Sequence, residues 1–503
     1  MPHPADCSVL EAAGLLSAGE LSSEELVRAC LERIAGRDGR YGAFIRVYEE
    51  RALVAAAESD RRRALGTAGA LDGIPVALKD LVGIAGLPLS GDSALLEGNV
   101  AVEDATVWSR LCDAGMVLVG HLHCGELAYG HWGVNPFDPA LSPGGSSSGS
   151  AIALAARMVP ATIGTDTRGS IRMPAAFTGC TAVKPTFGLL STAGCIPLSF
   201  SYDVVGPMAR TAADCAVLLA AMVGRDRRDR MTWCQQPPER RTLAPRAGRA
   251  PLAGTRIGVP DLGALLTPGV AGVLDSFCNE LRALGATCVP FAWPASPLEG
   301  PGEGAPAPWT YILASEAALV HAQFAGREHL YREEFRRLFL PMIRPAATAD
   351  YLAAQLARAE LGERWGAHFD DLALDAVLHP ASTGEAYRAA EDVTPEVLAR
   401  LMLGTWNDTG FPVVSLPAGR STTDGSPVGL QLAGRPFSEV ALLQLAVDVQ
   451  AASGHHLDLP AGLDGAGSPY AAPPRLECGS GAPFVPVRNP FDAVFPGGAT
   501  LRG

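Results

Sequence analysis

Two segments bring glycine and serine together at close spacing, and one isolated lysine stands upstream of them. The first is Pro143-Gly144-Gly145-Ser146-Ser147-Ser148-Gly149-Ser150. The second is Gly164-Thr165-Asp166-Thr167-Arg168-Gly169-Ser170-Ile171-Arg172-Met173-Pro174. A glycine before a serine lets the backbone turn tightly and brings N–H groups close to a reacting carbonyl, as an oxyanion hole requires. Taken alone, a Ser/Gly loop is more often a linker or an anion-binding nest than a catalytic feature. The lysine is Lys79, closing the apolar run Gly73-Ile74-Pro75-Val76-Ala77-Leu78. An ordinary lysine is a poor base near neutral pH. Burial at a strand end among serine hydroxyls would lower its pKa and make it one.

The elements that position these residues follow from pattern. Residues 8–65 read as helical, with a capping box at Ser22-Ser23-Glu24-Glu25 and apolar Leu26, Cys30 and Ile34 on one face. Gly73 to Asp80 reads as a buried strand delivering Lys79, Thr106 to Ala114 as a helix, and Met116 to Gly120 as a second buried strand. An Ala-rich helix, Ser150 to Met158, follows the first Ser/Gly loop, and Ile163 to Arg172 reads as a glycine-punctuated turn. Segments 224–254 and 294–308 are Pro-rich surface loops, and 309–370 is mostly helical. Phe411 to Leu416 and Pro427 to Leu432 read as strands joined by an Asp-Gly turn at 424–425. This alternation predicts an α/β layered fold.

Composition narrows the function. With 48% hydrophobic and 18% charged residues the 503-residue chain can bury a large core. A net charge of −13 opposes a phosphate backbone, so no nucleic-acid partner is expected. No apolar stretch long enough for a membrane span appears, and acidic residues interrupt the N-terminal region where a secretory leader would be apolar. The 11 scattered cysteines contain no C-x-x-C pair and point to a reducing, cytoplasmic compartment. His121/His123 and His455/His456 lack a third ligand, so neither metal nor cofactor is expected.

The two Ser/Gly segments resemble the amidase signature family, whose pattern G-G-S-S-x-G-S followed by G-x-D-x-x-G-S-x-R-x-P is matched residue by residue. The upstream element L-x-G-I-P-V-x-x-K-D fits Leu71 to Asp80, and Lys184 to Gly188, Gly206 to Arg210 and Gly429 to Pro436 also fit. The resemblance implies a single α/β/α domain over residues 1–503, with a large mixed central sheet covered by helices on both faces. Its core would occupy about 71–220 and 400–440, a variable substrate-side region about 225–400, and a Pro/Gly-rich tail about 457–503. It further implies an amidohydrolase with a Ser–cis-Ser–Lys triad. Ser170 would be the acyl-accepting nucleophile, Ser146, after a cis bond from Gly145, the proton relay, and Lys79 the base. Backbone N–H groups of Thr167, Arg168, Gly169 and Ser170 would form the oxyanion hole. The implied partners are a small amide, aryl amide or carbamate and water, with room for a homodimer.

Supporting roles are read around this triad. Asp166 and Arg172 suit a buried ion pair bracing the turn. Ser147 either meets Lys79 or caps the following helix. Arg168, where relatives carry a small residue, either pairs with a carboxylate or reaches the pocket mouth, and Tyr129 is placed near the pocket. One alternative is the glutaminase-type component of the tRNA-dependent amidotransferases, although Met173 stands where those members carry glutamine. Another is an α/β-hydrolase esterase with Ser147 in a G-x-S-x-G elbow and Asp375 with His379 or His455 as partners.

Overall fold

The computed structural model describes residues 3–234, 243–299, 306–391, 395–461 and 463. Eleven strands form one sheet: β1 Phe44–Val47, β2 Pro75–Lys79, β3 Val117–Leu122, β4 Ala161–Asp166, β5 Thr181–Lys184, β6 Val204–Ala209, β7 Arg256–Pro260, β8 Thr287–Phe291, β9 Ala376–Pro380, β10 Val413–Arg420 and β11 Pro427–Ala433. Their order is β1-β3-β2-β4-β6-β5-β10-β11-β9-β7-β8. β2 runs parallel to β3 and β4, β7 runs parallel to β8 and β9, and the remaining pairs are antiparallel. The sheet is therefore mixed, and helices such as Ser148–Ala155, Ala212–Met222, Pro268–Ala283 and Glu439–Ser453 pack over its faces.

Strand burial explains which elements the pattern exposes. β2, β3 and β4 are buried at every residue, so they carry no alternation. β2 and β3 still show as apolar runs. β4, Ala-Thr-Ile-Gly-Thr-Asp, lies in what reads as a turn at 163–172, because its glycine and threonines mimic loop composition. Gly164 is there for space: a Cβ would fall 2.8 Å from Ser147 Oγ.

The helical stretch 8–65 is three helices, Val9–Ala18, Ser23–Tyr41 and Glu49–Ala64, interrupted by the edge strand β1. The Ser22/Glu25 capping box forms as read, with the Ser22 N–H donating to Glu25 Oε2 at 2.8 Å and Glu25 N–H to Ser22 Oγ at 3.1 Å. The β10–β11 hairpin turns at Gly425. The tail beyond 463 lies outside the described residues.

Candidate active site

Because β2 and β4 are parallel neighbours, their carboxyl ends meet at one edge of the sheet, where ligand sites of α/β sheets form. β2 ends in Lys79 and β4 ends in Thr165-Asp166. The first Ser/Gly loop enters the helix Ser148–Ala155, whose small side chains let it lie close on the sheet. Its Gly145–Ser146 bond is cis.

Lys79 is fully buried and its ammonium is held by three hydroxyls: Ser146 Oγ at 2.7 Å, Ser147 Oγ at 3.0 Å and Thr165 Oγ1 at 2.9 Å. Burial pulls its pKa down to about 8. Ser147 donates onward to the Thr165 carbonyl at 3.0 Å and makes no capping bond to the helix, so of its two readings the lysine contact is the one formed. A second buried lysine, Lys184, is pulled to about 7 by burial and by nearby Arg172. Its Nζ donates to the Pro185 carbonyl at 3.0 Å and meets no serine among the described residues.

Ser170 lies half-buried on the turn after β4, and its carbonyl accepts from the Ser147 N–H at 3.0 Å. No hydrogen bond joins its hydroxyl to Ser146 among the described residues, so the second link of the expected relay is not formed in this structure. Hydrogen bonds of this kind often tighten when substrate arrives.

The turn itself is braced from beneath. Asp166 and Arg172, both without solvent exposure, pair at 3.0 Å. Asp166 also accepts from Gly169 N–H at 2.7 Å, Ile171 N–H at 3.2 Å and Asn407 Nδ2 at 2.8 Å. Burial works against that carboxylate, but Arg172, Asn407 and Lys184 outweigh it and hold Asp166 well below the usual range. Arg172 in turn donates to the Leu403 carbonyl and to Gln431 Oε1, both at 2.9 Å, tying the turn to β11 and the chain before Asn407.

This bracing corrects the expected donor set. The Gly169 N–H is already committed to Asp166, which leaves Thr167, Arg168 and Ser170 as the N–H groups without a protein partner among the described residues. Gly169 is instead a backbone requirement: its φ is +104°, and a Cβ there would run into the Leu403 side chain.

Arg168 is not a free handle at the pocket mouth. It donates to Asp408 at 2.6 Å and stacks 3.9 Å over the Trp309 ring. The Tyr129 ring stacks on Phe339 with centroids 4.3 Å apart and meets Phe335 edge-on, while the neighbouring Ala128 faces the cavity. The cavity has a volume of about 710 Å³ and reaches the site at Thr165 and Thr167. Thr165, Asp203, Asn407 and Asp408 carry no motif signal of their own, and sequence reasoning misses them.

The esterase alternative fails on geometry. Ser147 is sealed from solvent and committed to Lys79 and Thr165. His379 accepts from Trp406 Nε1 at 2.7 Å and faces the Pro380 carbonyl at 2.8 Å, which uses both ring nitrogens. Burial lowers its pKa to about 3. Asp375 accepts from the Arg256 N–H and His455 pairs with Glu280, so neither serves a serine.

The family model described as Amidase matches residues 25–443. The chain belongs to the amidase family. It is 36% identical to the A component of the glutamyl-tRNA(Gln) amidotransferase of Thioalkalivibrio sulfidiphilus, covering 91% of this chain and 99% of the relative. With the corresponding component from Ectopseudomonas mendocina identity is 38%, covering 91% and 99%. Among solved structures, native peptide amidase from Stenotrophomonas maltophilia superposes with a TM-score of 0.77 at 30% identity, covering 90% of this chain and 98% of that one. The chain is thus similar both to amidotransferase components and to a peptide amidase. No helix among its described residues is long and apolar enough to cross a membrane.

Proposed function

We propose that this amidase cleaves a carboxamide C–N bond through an acyl-enzyme, with Lys79 as base, Ser146 as relay and Ser170 as nucleophile. The observation that carries the reading is Lys79 itself: a buried amine, pulled to about 8, with its Nζ 2.7 Å from Ser146. Ser170 Oγ attacks the carbonyl as its proton passes to Ser146 and the Ser146 proton passes to Lys79. The oxyanion is met by the N–H groups of Thr167, Arg168 and Ser170. Ser146 then protonates the leaving amine and is reprotonated by Lys79, leaving the acyl group on Ser170. Water enters by the same proton path and releases the acid. An amide nitrogen departs poorly without that proton, so the relay matters most for amides.

Two substrate readings fit this chemistry. One is a free-standing amidase acting on a small amide, aryl amide or carbamate. The other takes glutamine as the amide and passes its ammonia on within a larger amidotransferase complex, and the identities of 36% and 38% to components of such enzymes favour it. Both expect the acid and the amine as products. The test is a panel of primary amides, aryl amides, urethanes, short peptides and glutamine, with mass detection of both products for the parent and Ser170→Ala. Turnover that survives Ser170→Ala would contradict the proposal.

A further inference from the structure

We infer that Asp203 is a positioning residue for this reaction: its carboxylate holds the Thr167 hydroxyl and so fixes the first N–H group of the oxyanion turn. The inference rests on the triad reading above and adds to it a residue that acts through Thr167.

The sheet brings the two residues together. β4 and β6 run antiparallel, with Thr165 opposite Val205 and Asp166 opposite Val204. One step further along that register Thr167 faces Asp203, where β4 has ended and the chain leaves for the turn that carries Ser170. A side-chain bond holds that step: Thr167 Oγ1 donates to Asp203 Oδ1 at 2.6 Å. Burial lifts the Asp203 carboxyl to about 6 against the bonds it accepts, so it is ionised where Lys79 loses its proton and the bond from Thr167 is charge-assisted.

A tether needs a fixed far end, and Asp203 has one. Its second oxygen accepts from the N–H groups of Leu198 at 2.8 Å and Ser199 at 3.0 Å. The N–H groups of Tyr202 and Asp203 both donate to the Ser199 carbonyl, at 2.9 Å and 2.8 Å, which closes the loop on itself. Glu316, on the helix Pro308–His321, then clasps the loop from outside. It accepts from Ser199 Oγ at 2.6 Å, Ser201 Oγ at 2.7 Å and the Ser201 N–H at 3.0 Å. Asp166 fixes the middle of the turn through the Gly169 N–H, and Asp203 fixes its start. An N–H group that is already in place stabilises an oxyanion at no cost in reorganisation, so holding Thr167 serves the transition state more than the bound substrate.

The test is steady-state kinetics of the full chain on an amide and on an activated aryl ester of the same acyl group. Thr167→Val keeps the shape of the side chain and removes the tether. It should lower kcat by about tenfold or more on both substrates with KM little changed, since both form the same oxyanion. Thr167→Ser keeps the hydroxyl and should restore most of kcat. Asp203→Ala should reproduce the loss, and the double variant with Thr167→Val should lose no more than Asp203→Ala alone, because one link is broken twice. Parent-like kcat in Thr167→Val, no recovery in Thr167→Ser, or single losses that add in the double variant would overturn the inference while the triad stands. Turnover that survives Ser170→Ala would instead overturn the triad reading on which the inference rests.

Discussion

Thr165 Oγ1 lies 2.9 Å from Lys79 Nζ and completes a ring of three hydroxyls around a lysine that has no contact with solvent. An ammonium offers three donors, and here each finds an oxygen. A neutral amine has two donors and a lone pair, so one hydroxyl must turn and donate to it. The ring therefore accommodates both states of the base.

Thr165→Val tests that arrangement. The side chain keeps its shape but the ammonium loses an acceptor, so the Lys79 pKa should fall further below about 8. The acid limb of kcat/KM against pH should move to lower pH. A limb that stays in place would remove Thr165 from the account.

Arg168 and Asp408 form a largely buried pair, with side-chain exposures of 22% and 5%. Asp408→Ala leaves the guanidinium unpaired beside the oxyanion turn, which costs far more than losing an exposed pair. We expect kcat to fall by about tenfold or more with KM little changed, because the damage is to the turn and not to a substrate contact. A raised KM with unchanged kcat would instead identify Arg168 as a substrate handle.

Gly169→Ala should be damaging for two independent reasons. Alanine disfavours φ +104°, and its Cβ would enter the space of Leu403, which is itself buried. A stability loss of about 2–4 kcal/mol is expected, read as a lower Tm, together with loss of turnover. Parent-like stability would mean the turn can relax away from Leu403.

How far the sequence can be read depends on whether a residue's role is local. Lys79, the Ser146 loop and the Asp166–Arg172 brace sit in short runs whose composition announces them, and β2 and β3 show as apolar runs. β4 does not, because glycine and threonine serve a strand that must lie against Ser147. The commitment of Gly169 N–H to Asp166 is equally invisible, since one carboxylate serves the turn, Arg172 and Asn407 together. Asn407 and Asp408 lie over two hundred positions from the turn they brace, and no local pattern reports such a contact.

Proton transfer through Lys79 is read from kcat/KM for an amide and for an activated aryl ester of the same acyl group. In the parent, amide hydrolysis should rise with pH through about 8, because the neutral lysine is the active form and is lost as pH falls below that value. Lys79→Ala should cost the amide about 10²–10⁴-fold and the ester much less, since the ester's leaving group departs without a proton. His379→Ala should leave the pH profile in place, because its ring is neutral and fully hydrogen-bonded away from the serines. Equal losses on amide and ester in Lys79→Ala, or a rise with pH that survives this substitution, would contradict the account.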